Sequence, residues 1–198
     1  MRYPVRLAAM PLRKDAALNQ DRIVATARDL VYEGTPLQLN DIARRTGLGV
    51  GTVYRHFPTA EALLETVATP CLELLVAHGR EALGDRDHGH SLKHFLLHVV
   101  EAQVSDPSLS PVMAAATDAL EHTAELKRTL WSVSAALVDR AIESGAIRRD
   151  LSPGDLTPLM CGVAYAAQVH SGPDADRAAT ARRYLTMLIE GLFPVTST

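Results

Sequence analysis

Apolar residues recur at three- and four-residue spacings along nearly the whole chain, Ala and Leu dominate, and no segment alternates apolar and polar positions over a β-branched run. The pattern predicts an all-α protein of about nine helices. A first helix is expected from Asn19, an N-cap residue type, with Ile23, Ala27, Leu30 and Val31 facing inward until Gly34 ends it. Short helices follow over about 39–46 and 50–56, and Gly47 makes the turn between them, which is helix-turn-helix spacing. Pro58-Thr59 opens a long fourth helix with Thr59 as its cap. Pro70 inside that helix deletes a backbone hydrogen bond and predicts a kink. Beyond Gly84, helices are expected at about 88–104, 108–120, 123–144, 153–171 and 173–192. Their separators are Asp106-Pro107, Glu121-His122, Gly145 with Ser152-Pro153, and Gly172-Pro173.

The helix at 153–171 is apolar on two sides, so it must be covered twice. Gly162 and Ala166 permit close helix approach beside Val169, and the last helix offers Ala181, Tyr184, Leu185, Leu188 and Leu192 on one side. A symmetric four-helix seam between two copies accounts for both surpluses, and predicts a homodimer. A fully buried central helix in a monomer is the alternative.

Composition narrows the class. The chain has 198 residues, 47% of them hydrophobic and 22% charged, which excludes a disordered chain. Its 23 acidic residues outnumber 20 basic ones, and the net −3 taken alone argues against a nucleic-acid partner. Distribution changes that inference. Residues 1–60 hold nine Lys and Arg against five acids, a net +4, which leaves −7 on residues 61–198. Cys71 and Cys161 form neither a disulfide framework nor a zinc pattern. No signal-like segment and no run of eighteen apolar residues occurs, so a cytoplasmic protein without a membrane span is expected. The expected organisation is a disordered basic arm over residues 1–18, a helix-turn-helix domain over 19–62 and a C-terminal helical domain over 63–198.

The stretch from Arg22 to Val67 contains Asp41-Ile42-Ala43, Gly47-Leu48, the run Gly51-Thr52-Val53-Tyr54-Arg55-His56-Phe57, and Glu61-Ala62-Leu63-Leu64. In that order these motifs resemble the DNA-binding domain of the tetracycline-repressor (TetR) family of transcriptional regulators. The resemblance implies a repressor that binds a palindromic double-stranded operator as a homodimer and is released by a small-molecule effector. Gly49, Val50, Gly51 and Thr52 give a compact end to a recognition helix, where small residues let backbone approach phosphate. For Tyr54 and His56 the resemblance implies phosphate contact, the alternative being packing between helices; Arg55 lies between them. By position, Gln38 and Asn40 fall near the groove, and the Asn40 amide suits a bidentate pair with adenine. Arg44 and Arg45 suit phosphate contact or a solvated face. Where the family usually has Lys, this chain has Ala60, so phosphate binding there falls to Thr59 and the helix N-terminus. Gln38 and Gly49 stand where Ser or Thr caps are usual.

The resemblance places an effector site in the C-terminal part. Polar or soft residues on apolar faces are the candidates: His78, Gln103, Met113, Trp131, Met160 and Tyr165. His90, His94 and His98 share one helix face, but without a carboxylate or Cys partner they read as solvated, so neither metal nor cofactor is expected. No nucleophile, phosphate-loop or zinc-protease motif appears, which disfavours catalysis. The competing reading is a helical enzyme or small-molecule binder whose helix-turn-helix is structural.

Overall fold

The computed structural model describes residues 11–170 and 176–192, and side chains over 15–169 and 176–191. Within these residues there are nine helices and no strand. The chain divides into two compact units, residues 1–67 and 68–198.

The N-terminal unit holds α1 (Pro11–Tyr32), α2 (Leu39–Thr46), α3 (Val50–His56) and the first turns of α4 (Ala60–Ala82). The apolar stripe of α1, Ile23, Ala27 and Leu30, meets Leu39, Ile42 and Ala43 of α2, Val53 of α3, and Phe57, Leu63 and Val67 in one core. Two expectations are corrected here. Residues 11–18 are helix rather than arm, because Pro11 suits the first turn and Ala16, Ala17 and Leu18 sustain a helix through Asn19. Asn19 is therefore interior, not a cap, while residues 1–10 of the expected arm lie outside the described residues. The unit also runs past residue 62, since Leu63 and Val67 complete its core.

Gly47 ends α2 in the left-handed region at φ 67°. Its N–H meets the Arg44 carbonyl at 3.4 Å and the Leu48 N–H returns to the Ala43 carbonyl at 3.1 Å, a Schellman closure that a side chain at φ > 0 would strain. The Arg22 guanidinium donates to the Thr46 carbonyl and fastens α1 to the same helix end. Neither Gln38 nor Gly49 makes a side-chain cap bond. Thr59 caps α4, its Oγ1 accepting the Ala62 N–H at 3.1 Å.

In the C-terminal unit α5 (His88–Ser105) packs on α7 (Glu121–Glu143), α8 (Pro153–His170) and α9 (Arg177–Leu192). Asp87 caps α5 through the His90 N–H, and Asp176 caps α9 through the Ala179 N–H. Leu92, Phe95, Leu96 and Val100 of α5, Leu137 and Val138 of α7, Met160 and Ala164 of α8, and Ala181 and Leu185 of α9 are buried together with Leu72, Leu75 and Val76 of α4. α4 continues through Pro70. Gly79 brings its backbone against α5 and α7, where a Cβ would stand 2.5 Å from Val133 Cγ1 and 3.0 Å from Phe95 Cε2.

The expected helix over 108–120 is shorter. α6 covers only Leu109–Ala114. The cause is Lys127 of α7, whose Nζ donates to the Val112 and Ala115 carbonyls at 3.0 and 3.2 Å and to Asp118 Oδ1 at 2.6 Å. The Val112 carbonyl accepts the Ala115 N–H at 3.3 Å as well as the ammonium, and the Ala115 carbonyl ends on the ammonium. α7 then begins at Glu121, two residues earlier than expected, and α9 at Arg177, with residues 171–175 outside the described part.

Candidate functional site

The N-terminal unit presents one surface built from α2 and α3. Gln38, Asn40, Arg44, Gly49, Val50, Gly51, Tyr54, Arg55 and Thr59 are exposed, whereas Thr52 and His56 are half-buried. Phe57 is core, and the His56 ring lies 6.5 Å from its ring, centroid to centroid. Val53 is the buried residue that anchors α3, while Val50, Gly51 and Tyr54 are exposed. A Cβ built on Gly51 meets nothing within 4 Å, and its φ is ordinary. The packing of the described residues thus gives no reason for glycine there.

Several of the basic side chains of this unit already have partners. Arg44 pairs with Asp41 at 2.9 Å, Arg45 with Glu33 at 3.6 Å, and Arg22 is spent on a carbonyl. Exposed pairs of this kind contribute little to stability. The sequence did not signal the Arg22 and Arg45 partners, which lie 24 and 12 positions away and meet only through tertiary packing.

In the C-terminal unit the six expected effector residues do not form one set. Gln103, Met113, Trp131 and Met160 line a cavity of about 230 Å³ together with Phe95, Leu96, Val99, Lys127 and Ser134. Met160 and Gln103 are buried, Met113 is half-buried and Trp131 stands at the rim, 59% exposed. His78 belongs instead to a second cleft, of about 510 Å³, with Glu81, Asp85, His90, His94 and His98. Tyr165 lines neither cleft and is 68% exposed.

The second cleft changes the picture of the histidine face. His98 is half-buried, its ring 4.2 Å from that of His78 on α4 and 4.5 Å from that of His94, while His90 and His94 stack at 6.0 Å. Desolvation holds the His98 ring below the usual histidine range, His78 and His94 add to the shift, and Glu101 and Glu81 oppose it. Among the described residues no three His, Cys, Asp or Glu side chains are arranged to hold a metal ion. Because the unfolded chain takes up the proton first, His98 contributes stability above about pH 6.5 that is lost as pH falls from there through the lower folded value. Thermal unfolding followed from about pH 7.5 to 5.5 should show a shallower loss in His98→Gln than in the parent. Equal slopes would remove His98 as the cause.

Burial pushes the Cys71 thiol up to about 11, with the Asp106 carboxylate adding to the shift, so it stays a thiol at neutral pH.

The expected contact residues of the seam divide. Gly162, Ala166 and Val169 are exposed on one face of α8, and Tyr165 and Met187 expose large apolar surface beside them in sequence and on α9. Tyr184 and Leu188 are half-buried. Ala181 and Leu185 are fully buried against α5 and α8, so they serve the chain's own core and leave the list of contact residues. The Leu192 side chain lies outside the described residues.

A helix-turn-helix surface on one unit and an apolar cavity on a helical second unit define a DNA-binding transcriptional regulator. Two family models match the chain: bacterial regulatory proteins of the tetR family over residues 23–67, and the C-terminal domain of SbtR-like transcriptional regulators over residues 87–194. The chain belongs to the TetR family of transcriptional regulators. It is similar to a TetR transcriptional regulator from Streptomyces coelicolor, with 29% identity, a TM-score of 0.55, and coverage of 89% of this chain and 99% of that one. It shares its fold with the regulator FadR from Bacillus subtilis, solved in complex with stearoyl-CoA, at 18% identity and a TM-score of 0.62 over 87% of this chain and 98% of that one. An HTH-type transcriptional regulator from Staphylococcus aureus is 40% identical over 58 residues, which is 28% of this chain and 30% of that relative's length. Among the described residues no helix is long and apolar enough to cross a membrane.

Proposed function

We propose that this regulator is a cytoplasmic homodimeric repressor that binds a palindromic operator and releases it when a small molecule occupies the cavity of the C-terminal unit. The observation that carries the reading is the α3 surface, where Gly51 is free of any packing demand beside exposed Val50, Tyr54 and Arg55. Backbone close to phosphate, with Tyr54, Arg55, His56 and Thr59 as ligands, positions the helix. Gln38 and Asn40 supply amides for base edges. α4 begins in one unit and ends in the other, so it is the covalent path by which the cavity reaches the recognition helix. Two recognition helices on one duplex face must stand about 34–36 Å apart, and a change of a few ångströms lowers affinity.

The cavity suits a smaller effector than an acyl-CoA. At about 230 Å³ it lies below the roughly 300–1,000 Å³ of ordinary ligand pockets. The protein acts by binding, with no catalytic step. The alternative is a helical small-molecule binder or enzyme with a structural helix-turn-helix.

The test is fluorescence anisotropy with DNA flanking the protein's own gene, titrated with salt. Affinity should fall steeply with salt, and Arg55→Ala should reduce the logarithmic slope by about one. Gly51→Ala should weaken binding to every sequence without lowering the melting temperature, since alanine is the better helix former. Asn40→Ala should relax discrimination at one base pair, at about 1–3 kcal/mol. A flat response at low salt sinks the repressor reading in favour of the alternative.

A further inference from the structure

The cavity of the C-terminal unit carries information about what it takes, and the inference rests on the effector reading above. Its walls are apolar apart from Gln103, Lys127 and Ser134 in the wall and the exposed Thr157 hydroxyl and Trp131 indole N–H at the rim. Lys127 is the cation among the described lining residues, and its three N–H bonds already go to the Val112 carbonyl, the Ala115 carbonyl and Asp118. Both partners of that ion pair are largely buried, with side chains 18% and 15% exposed. A carboxylate or phosphate entering the cavity would have to break this set to find a donor, and would then leave Asp118 uncompensated. Ser134 donates its hydroxyl proton to the Leu130 carbonyl at 2.7 Å, so toward the cavity it can only accept. Gln103 is 3% exposed, and its Oε1 is buried without a partner among the described residues. A buried unpartnered carbonyl oxygen costs free energy until a donor reaches it.

The one buried unsatisfied group among the described lining residues, Gln103 Oε1, is therefore an acceptor, and Lys127 leaves no charge uncompensated. The volume sets the size: an apolar cavity of about 150 Å³ holds a benzene, so about 230 Å³ takes a fused bicyclic ring. Phe95 and Trp131 supply aromatic faces for it. We infer that the effector of this regulator is a neutral, mainly apolar, bicycle-sized molecule that carries an N–H or O–H donor, which it gives to Gln103 Oε1.

The experiment is calorimetric titration of the full chain with three probes of nearly equal shape: indole, benzofuran, which replaces the N–H by an oxygen, and indole-3-carboxylate, which adds a charge. Indole should bind roughly tenfold more tightly than benzofuran, the size of one net hydrogen bond, and more tightly than the carboxylate. In Gln103→Leu the preference for indole over benzofuran should vanish. Gln103→Met, which keeps the chain length, should behave likewise, and both variants should melt no lower than the parent because an unpaired buried amide is gone. Benzofuran or the carboxylate binding best, a donor preference that survives both substitutions, or no binding by any probe up to millimolar concentration would overturn the inference. Operator anisotropy with each probe present separates this from the function proposed above. Donor-selective binding that leaves DNA affinity unchanged refutes effector-driven release while the cavity's chemistry stands. Release by the carboxylate alone does the reverse.

Discussion

Phe95→Ala lowers the stability of the C-terminal unit by about 3 kcal/mol, the low end of the range for truncating a buried phenylalanine. Phe95 is 2% exposed, and its ring, with Val133, occupies the space that the missing Cβ of Gly79 leaves open between α4, α5 and α7. Removing it forfeits the transfer free energy of the ring and the dispersion contacts with α4, and neither Gly79 nor Val133 has a side chain long enough to refill the gap. The loss falls at the low end because one side of the ring already borders the cavity, so less new void is created. Differential scanning calorimetry should show the effect on the transition of the C-terminal unit. An unchanged transition would mean that Phe95 does not hold α4 and α5 together.

The second large effect concerns assembly. Val169 is 67% exposed and lies on the same face of α8 as Gly162 and Ala166, with Tyr165 and Met187 also exposing large apolar surface. Exposed large apolar side chains on one face of a helix call for a partner, and a second copy is the economical one. Val169→Glu would bury a carboxylate in that seam at a cost of several kcal/mol. Light scattering should then give the mass of one chain, 21.4 kDa. On the dimeric operator binding proposed above, affinity should fall by about 10²-fold or more, because each half-site would then bind without its tethered twin. A dimer of unaltered strength would move the seam to another face. Ala181 and Leu185 are unsuitable for this test, since charges there would unfold the unit from within.

How far the sequence could go differs between residues for physical reasons. The helix-turn-helix was legible because its signals are local: Gly34 and Gly47 take positive φ and end α1 and α2 where the residue type requires it. The start of α1 differs from the expectation because Asn19 is at home both as a cap and inside a helix, and the described side chains before it are exposed, so no apolar stripe marks where the helix begins. α6 was overextended because its terminator is Lys127, a side chain from the next helix that no local pattern announces. Periodicity marked Ala181, Leu185 and Val169 alike as apolar, and could not say which face the chain covers itself. Likewise His78 and Gln103 both continue apolar stripes, and only the packing of α4 on α5 sends the first toward His98 and the second into the cavity.

Trp131 is the chain's single tryptophan and stands at the rim of the cavity, while the N-terminal unit has none. The protein therefore contains a built-in optical reporter of one event. With the cavity open its indole is wetted and emits at long wavelength; a non-absorbing guest seated against it would exclude water and shift the emission to the blue. Duplex DNA, arriving at the other unit, has no tryptophan there to quench. Occupancy and operator binding can thus be read in one cuvette, unlabelled, with intrinsic emission following the first and a dye on the DNA following the second.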